Sequence, residues 1–303
     1  MVCPHKNKKK ILSVGKTSLF QCVSCLLVLS DKYKKGFSRT QVYSNYYRNE
    51  VAGRFLFGIE YIVKFFRFLR AFRVYTISPK AKSILDIGSG RGFMLYYLKK
   101  YYRYKIATGT QIERNSYEFS KNKLGLEIYN KDLLEIPFKD RHFDLVTIWH
   151  VLEHVSYPED YVIKIRKLLK TNGILAVEVP NFNSWTRVFT TKYWLGLDIK
   201  YHLFFFNKDS LSSLLKKHGF KIKRVQTFSL EHSAFTSAQS IISFITKTNH
   251  IFFNWIQTGK FTKHIVLHTI LFAILFPACF LINMLLYFSG RGEVVLVIAE
   301  KTT

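Results

Sequence analysis

The sequence has little of what secreted proteins rely on. Its 303 residues include only four cysteines and six prolines. The cysteines show no regular spacing that would indicate a disulfide framework. The first apolar stretch, residues 21–29, is too short for a signal peptide and lacks a small-residue cleavage site. We therefore expect a reducing, cytoplasmic location.

Acidic residues are also scarce. The chain carries 20 Asp and Glu against 46 Lys and Arg, which gives a net charge of +26. Such a charge attracts polyanions, either nucleic acid or an anionic membrane surface, and does not choose between them. The hydrophobic fraction of 48% and the aromatic fraction of 17% exclude a largely disordered chain.

The clearest motif lies at residues 84–93, ILDIGSGRGF. Its first residues predict a short buried strand, and the stretch after the glycines, up to Tyr102, can form a helix. Glycines beside a strand end allow a tight turn and the close approach of a ligand. A dinucleotide fingerprint counted from Gly88 requires glycine at position 93, where Phe93 stands, so the motif indicates a different pocket.

An acidic residue followed by alternating glycines resembles motif I of class I S-adenosylmethionine-dependent methyltransferases. The resemblance implies that S-adenosyl-L-methionine is the cofactor. It also implies that the amino-acid end of the cofactor lies against the residues of this motif, Asp86, Gly88, Ser89, Gly90 and Gly92. For the motif alone, the alternative is a tight turn that binds no ligand.

The second strand, residues 106–110, leads to the expected ribose site. In the family this strand ends with an acidic residue that holds the ribose hydroxyls, and here Gln111 takes that position, with Ile112 next to it. The amide of glutamine can still accept and donate hydrogen bonds. Because glutamine departs from the family pattern, Glu113 is the alternative ribose ligand.

The expected adenine site follows from the third and fourth strands. Asp132 lies just past the third strand, where family members receive the adenine amino group, and Leu133 is expected against the ring. Trp149 ends the fourth strand and is expected beside the same ring.

Two later stretches resemble the acceptor side of small-molecule methyltransferases related to ubiquinone O-methylation enzymes. They are residues 143–158 and residues 202–220. The resemblance implies that His154 and His202 are catalytic or orienting groups for the acceptor. A packing role is the alternative for each of them.

The letters around His150 also spell H-x-x-E-H, an inverted zinc-protease motif. That motif needs a helix under His150, whereas the sequence places His150 at the end of a β-type run, which disfavours a protease. Two interpretations stay open for His150, Glu153 and His154: they hold a divalent ion or orient a substrate hydroxyl, or they pack the turn.

Alternation of strand and helix patterns predicts a Rossmann-like α/β fold, a seven-stranded mostly parallel sheet with helices on both faces. A helix pattern over residues 157–169 should stop at Asn172-Gly173, before a strand at 174–180. The sixth strand is expected at 221–228 and the seventh at 293–300. A hydrophobic insertion, residues 229–292, separates them.

Residues 1–40 resemble the zinc-ribbon prefix of some methyltransferases, in degenerate form. The pair Cys22 and Cys25 is intact, but Lys6 stands where the pair begun by Cys3 needs its second cysteine, and His5 is one residue early. We therefore expect no bound zinc. The methyltransferase domain is expected to cover residues 41–303.

Two apolar segments have helical character. Residues 43–75 predict a helix with a solvated basic face, or alternatively a membrane-surface helix, and residues 43–47 are expected in a lid. Residues 262–288 are apolar and long enough to span a bilayer. Because the strands on either side are neighbours, we expect a hairpin bent at Pro277 or an interfacial helix accompanied by residues 242–255. A buried helical pair or a dimer interface is the alternative.

The sequence thus predicts S-adenosylmethionine-dependent methyl transfer to a small-molecule or lipid-linked acceptor, with an anionic membrane surface as a further partner. The alternative is a non-catalytic, membrane-associated scaffold that retains the fold. Nucleic acid is not the expected substrate, because the chain has no N/D-P-P-Y/F motif of amino-directed base methyltransferases.

Overall fold

A computed structural model describes residue 5 and residues 7–32, 57–287 and 289–302. Cys3 and the expected lid at 43–47 lie outside these residues. The strands are β1 Lys8–Val14, β2 Thr17–Cys22, β3 Val28–Ser30, β4 Ser83–Ile87, β5 Ile106–Thr110, β6 Glu127–Tyr129, β7 Phe143–Trp149, β8 Leu169–Pro180, β9 Phe204–Phe205, β10 Phe220–Gln226 and β11 Val294–Lys301. The helices are α1 Phe57–Ile77, α2 Phe93–Tyr101, α3 Arg114–Asn122, α4 Pro158–Leu168, α5 Trp185–Thr190, α6 Lys208–Lys217, α7 Ser233–Thr246, α8 Ile251–Thr258 and α9 Ile265–Leu286.

The main sheet has seven strands in the order β10-β11-β8-β7-β4-β5-β6. Strands β4 to β8 are parallel to one another, while β11 is antiparallel to both β8 and β10. This is the predicted Rossmann-like sheet. Since Pro180 pairs with Val294, the insertion before β11 returns to the sheet at the carboxyl ends of the parallel strands.

Alternate side chains of the central strands face two separate cores. Leu85, Ile87 and Val146 pack on one face, together with side chains from α4 and α6. Ile84 and Leu145 pack on the other face with side chains from α1 and α2. The helices therefore cover both faces, as a parallel sheet requires.

The N-terminal strands form a second sheet, in the order β1-β2-β3-β9. Its last strand belongs to the methyltransferase-like part of the chain, since Val28 pairs with Phe205 and Leu29 with Phe204. Cys22 and Leu29 are buried in the first core. The N-terminal segment is thus built into the wall of the main fold.

The end of α4 differs from the prediction. The helix ends at Leu168, and β8 already begins at Leu169, so that Asn172 and Gly173 lie within the strand. Asn172 has a φ of 59° there, and the register between β7 and β8 shifts next to it. The asparagine therefore serves an irregularity of the strand and not a helix stop.

The basic side of α1 faces inward, which corrects the expected solvated basic face. Arg67 and Arg70 both lie 2.6 Å from the Glu231 carboxylate, and Arg73 Nη1 lies 3.2 Å from that of Glu178. The large exposed side chains of α1 are apolar instead, namely Tyr61, Ile62, Phe65 and Phe72. Burying a carboxylate without a cation costs more free energy than exposing apolar side chains to water. The helix is therefore oriented with its arginines toward the protein.

The segment expected as a hairpin is one continuous helix, α9, with Pro277 inside it. It has a mean hydropathy of 2.6 over its most apolar stretch, of which only 17% is buried. Against the protein it buries His268 and Asn283 with Ile265 and Cys279, and the Asn283 amide donates to Ser237 of α7 at 2.8 Å. Phe272 stacks on Phe252 of α8. The hairpin is therefore wrong, and helices α7 and α8 accompany α9.

Asp144 fastens β7 to the start of β4 and gives a test of the fold. Its carboxylate accepts the backbone N–H groups of Lys82 and Ser83, each at 2.9 Å, and pairs with Lys170 at 2.7 Å. Burial raises the pKa of Asp144, but the bonds to Lys170 and to the amides outweigh it, so that the pKa lies below its ordinary value.

We expect Asp144→Asn to lower the free energy of unfolding at pH 7 by about 1–2 kcal/mol, because the charge-assisted bonds weaken. A depressed carboxyl pKa stabilises the fold only above the pKa of the unfolded chain, and this stabilisation is lost as the pH falls below about 4. Urea unfolding of both proteins at pH 7 and near pH 3 measures the difference. A gap that is as large in acid as at neutral pH would contradict the role given to the carboxylate.

Candidate functional site

One cavity of about 630 Å³ lies at the carboxyl ends of the parallel strands. Every site residue predicted from the sequence lines it, namely Asp86, Gly88, Ser89, Gly90, Gly92, Gln111, Ile112, Asp132, Leu133, Trp149, His154 and His202. Ligands of open α/β sheets bind at this edge. The structure thus brings the predicted cofactor and acceptor residues into a single space.

The glycine turn after β4 has the conformation that the motif predicts. Gly88 has a φ of 71°, and a Cβ there would lie 2.4 Å from Val151 Cγ2, so no other residue fits without a shift. Gly90 has a φ of 56°, and an added Cβ would meet nothing within 4 Å. The turn therefore leaves open space beside Gly90, into which a ligand can approach the backbone.

Asp86 lies at the floor of this turn and is only 4% exposed. The Thr147 hydroxyl donates to its carboxylate at 2.6 Å. Burial raises the pKa of Asp86 to about 7, although Thr147, Arg70 and Arg67 act in the opposite direction. A buried carboxylate with such a pKa gains most from a ligand that brings its own positive charge.

Helix α1 supplies cations that the sequence did not assign to the site. Arg67 and Arg70 line the cavity, and the Arg70 guanidinium lies 4.9 Å from the centre of the Trp149 ring. Arg91 of the glycine turn pairs with Glu60 of α1 at 2.5 Å. No motif marks these residues, because their partners lie far away in the chain.

Gln111 is buried at the end of β5 and lines the cavity with Ile112. Its side-chain oxygen accepts the Glu113 N–H at 3.4 Å. Glu113 itself caps α3, since its carboxylate accepts the N–H groups of Asn115 and Ser116 at 2.7 and 2.6 Å. Glu113 is absent from the residues that line the cavity. The alternative ribose ligand is therefore occupied as a helix cap.

Asp132 caps the short helical turn at 133–135 by accepting the Leu134 N–H at 2.9 Å, and it accepts the Tyr161 hydroxyl at 2.5 Å. Leu133 packs in the core on that side of the sheet, whereas Trp149 packs in the core on the opposite side. The two residues expected to flank one adenine ring thus reach the cavity from different faces.

A charged network crosses the cavity wall at His150, which follows β7 with a φ of 53°. Its Nε2 lies 3.2 Å from the Glu178 carboxylate and its Nδ1 lies 3.6 Å from that of Glu153. Burial lowers the pKa of His150, but the two carboxylates outweigh it and raise the pKa to about 9. His150 is therefore a cation at neutral pH. It does not lie on a helix, which excludes the inverted protease motif.

His154 and His202 lie in contact, with ring centres 4.6 Å apart. Each has Nδ1 at 3.2 Å from a backbone carbonyl, that of Tyr201 for His154 and that of Gly196 for His202. Burial lowers the pKa of both, to about 4 for His154. Both rings are thus neutral at pH 7, and because a carbonyl only accepts, the proton lies on Nδ1 and the lone pair on Nε2.

Glu153 completes this group. It is 1% exposed, and neither carboxylate oxygen has a hydrogen-bond partner among the described residues. Burial raises its pKa, and the facing His150 imidazolium outweighs this effect and keeps it ionised. The ligand atoms of Glu153, His154 and His202 lie within 4.8 Å of one another. Such a group can accept hydrogen bonds from a substrate or hold a divalent ion.

Comparison with known proteins agrees with this geometry. The family model described as a methyltransferase domain matches residues 60–225, more than half of the chain. A ubiquinone biosynthesis O-methyltransferase of Coxiella burnetii is 30% identical over 120 residues, which cover 38% of this chain and 50% of that protein. A ubiquinone/menaquinone biosynthesis C-methyltransferase of Desulfotalea psychrophila is 26% identical over 98 residues, or 31% of this chain and 40% of that one. The chain therefore spans about half the length, or less, of these curated relatives.

Among solved structures, geranyl diphosphate C-methyltransferase from Streptomyces coelicolor A3(2) is similar in fold. Its crystal structure contains Mg²⁺, geranyl diphosphate and S-adenosyl-L-homocysteine. The two chains superpose with a TM-score of 0.57 at 11% identity, over 89% of this chain and all of the other. At this identity the similarity concerns the fold alone.

The charge state of His150 can be measured. We expect its imidazole to titrate near pH 9 in the native protein. Replacing one of its carboxylate partners, in Glu178→Gln, should lower that pKa by about 1–3 units, since an opposite charge at this distance favours the protonated form. Proton NMR of the imidazole resonances against pH gives both values. A wild-type His150 that titrates near its ordinary pKa would contradict the network.

Proposed function

The chain belongs to the methyltransferase-domain family of class I S-adenosylmethionine-dependent enzymes, and we propose that its methyl acceptor is a small molecule carried by a lipid. The observation that supports this most is the single cavity in which the glycine turn and Asp86 face a buried group of Glu153, His154 and His202. In this proposal the cofactor binds beside Asp86 and the acceptor beside Glu153.

The cofactor end is proposed to use the motif residues. S-adenosyl-L-methionine supplies an activated methyl group on a sulfonium. Asp86 accepts the cofactor ammonium, and the backbone at Gly88, Ser89, Gly90 and Gly92 lies along the amino-acid chain. Arg70, close to Asp86, is suited to the cofactor carboxylate. The unfilled space at Gly90 supports this placement.

For the nucleoside end, Gln111 is proposed at the ribose, with Ile112 beside it. Asp132 and Leu133 are proposed at the adenine, where the Tyr161 bond fixes the Asp132 carboxylate. Trp149, packed under Arg70 on the other face of the sheet, is better placed at the methionine end.

The acceptor end is proposed to receive a group that donates a hydrogen bond. Each imidazole of His154 and His202 has its proton on Nδ1 and its lone pair on Nε2. The Glu153 carboxylate, 3.6 Å from His150 Nδ1, accepts no hydrogen bond from the described residues. Methyl transfer needs little more than alignment and the removal of any proton that the acceptor loses. His154 or His202 can take that proton because each is neutral at pH 7. The charged His150 cannot, since it is already protonated.

The non-catalytic scaffold is the weaker alternative. Burying the Glu153 carboxylate without a hydrogen bond from the described residues, and Asp86 with a pKa of about 7, costs stability. A scaffold has no use for either, whereas a binding site recovers the cost when its ligand arrives.

Cofactor binding should depend on pH through Asp86. The ammonium of S-adenosyl-L-homocysteine needs the ionised carboxylate, so affinity should fall as the pH drops through about 7. We expect binding to be about tenfold weaker at pH 6 than at pH 8, as linkage to one proton requires. Isothermal titration calorimetry measures it. Asp86→Asn keeps the side-chain shape, and it should bind weakly with no such pH dependence.

If the wild-type protein does not bind S-adenosyl-L-homocysteine at any pH, the conclusion that the protein is a methyltransferase is contradicted. A pH-independent wild-type affinity would contradict only the role of Asp86.

We further propose that α1 and α9 bring the enzyme to an anionic membrane. Helix α9 buries His268 and Asn283 completely and exposes apolar side chains, among them Val266 at 67%, Ile274 at 66% and Leu285 at 74%. Polar residues toward the protein and apolar residues outward is the arrangement of a lipid-facing helix. Helix α1 has the same arrangement, with its arginines toward the protein and apolar side chains exposed.

The charges around α9 fit the same partner. Lys260 and Lys263 precede the helix, and Lys247 follows α7. Each basic residue near an anionic surface contributes about 1 kcal/mol. Phe253 and Gln257 of α8, the helix between them, line the cavity. The cavity thus lies close to the proposed membrane face, which favours a lipid-linked acceptor.

In this proposal residues 41–303 form the enzyme, residues 229–292 form its membrane-associated insertion, and the protein is cytoplasmic.

A single charge should abolish membrane binding. Ile274→Glu places a carboxylate at the middle of the exposed side of α9, where it loses apolar burial of about 2 kcal/mol and faces anionic lipid. We expect wild-type protein to co-sediment with vesicles of equal parts phosphatidylglycerol and phosphatidylcholine and the variant to stay in solution. Ile163→Glu changes an exposed isoleucine of α4 in the same way. It is the matched control and should bind the vesicles normally.

If wild-type protein also stays in solution, the membrane proposal is wrong. Sedimentation analysis then shows whether Ile274→Glu dissociates a dimer, which would make the face a subunit contact.

A further inference from the structure

The N-terminal sheet holds three side chains that methyl transfer does not use. The ligand atoms of His5, Cys22 and Cys25 lie within 4.8 Å of one another, and His5 Nδ1 is 3.4 Å from Cys25 Sγ. In a tetrahedral zinc site, bonds of about 2.05 Å to nitrogen and 2.3 Å to sulfur place these two atoms about 3.5 Å apart. The two atoms, which share a hydrogen bond in the metal-free chain, thus lie at nearly the separation that two ligands of one ion require.

The backbone holds the two cysteines in a tight knuckle. Leu26 N–H donates to the Cys22 carbonyl and Cys22 N–H to the Leu27 carbonyl, both at 2.9 Å, with Leu26 at a φ of 59°. A third bond, from Val23 N–H to the Asn7 carbonyl at 3.0 Å, fixes the segment just after His5 beside the knuckle. The backbone therefore sets the two cysteines in place before any ion binds and holds Asn7, two residues after His5, beside them.

The chemistry of the donors agrees. The thiolate is the form of cysteine that binds metal. Two sulfurs and one imidazole nitrogen are a donor set that selects zinc over magnesium or calcium.

We propose that His5, Cys22 and Cys25 bind a zinc ion, and that this ion positions the acceptor side of the cavity. The sequence predicts no zinc because Lys6 replaces a cysteine. In the folded chain His5 supplies the missing ligand from the neighbouring position, so the metal-free expectation does not follow once the strands are paired.

Backbone hydrogen bonds connect the proposed zinc site to the cavity. Cys22 is 1% exposed and packs in the main core. Strand β3 follows the knuckle and pairs with β9, and the Leu203 and Phe204 N–H groups both donate to the Glu153 carbonyl, at 2.9 and 3.1 Å. The ion thus holds the backbone of Glu153 and of the segment that begins at His202.

The test uses the full-length protein and measures metal and backbone order together. Zinc per chain is determined by elemental analysis, and cobalt substitution is followed by thiolate-to-cobalt absorption. The variants are His5→Ala and Cys25→Ser, because both residues are partly exposed and the fold should tolerate the changes. Cys279→Ser, at a buried thiol of α9, is the matched control.

We expect about one zinc per chain in the wild type and the control, and a loss of most of it in His5→Ala and Cys25→Ser. Hydrogen exchange at the Phe204 amide should become at least tenfold faster when the metal is removed by a chelator. A wild type that takes up no zinc or cobalt, or variants that retain it, would overturn the site. Unchanged exchange at Phe204 would overturn its link to the cavity.

Discussion

The site depends on the pairing of carboxylates at one edge of the sheet with cations from distant parts of the chain. Glu178 of β8 forms an ion pair with Arg73 of α1, and Glu231, which follows β10, forms ion pairs with Arg67 and Arg70 of the same helix. An unpaired buried charge costs several kcal/mol, so these pairs fix the side of α1 that faces the sheet. Asp86 and Glu153 line the same cavity, and we propose that they bind the ligands.

The same pairing explains why two helices expose apolar side chains. Helix α1 turns its arginines toward Glu178 and Glu231, and its aromatic residues then face outward. Helix α9 buries His268 and Asn283, and the Asn283 amide bonds with Ser237, which in turn donates to the buried Glu293. In both helices polar contacts with the protein decide the orientation. The cost of the exposed apolar surface is the reason to expect a lipid partner.

The histidines around Glu153 differ in their charge. His150 lies between Glu153 and Glu178 and is protonated, whereas His154 and His202 face backbone carbonyls and are neutral. Residues only four positions apart thus have pKa values near 9 and 4. Environment and not residue type sets these pKa values, which is how one site can hold both a charged and a neutral imidazole.

The sequence alone determined the sheet, its strand order along the chain and the glycine turn, because local alternation and the spacing of Gly88 and Gly90 leave few other solutions. Every site residue that the sequence predicts lines the cavity, since residues after parallel strands meet at one edge. Only the tertiary structure decided what lies opposite them. It placed Arg70 against Trp149, made Glu113 a helix cap, straightened α9 through Pro277 and brought His5 to Cys25. These outcomes depend on charges and donors that are far apart in sequence, and no local pattern records which of them will meet.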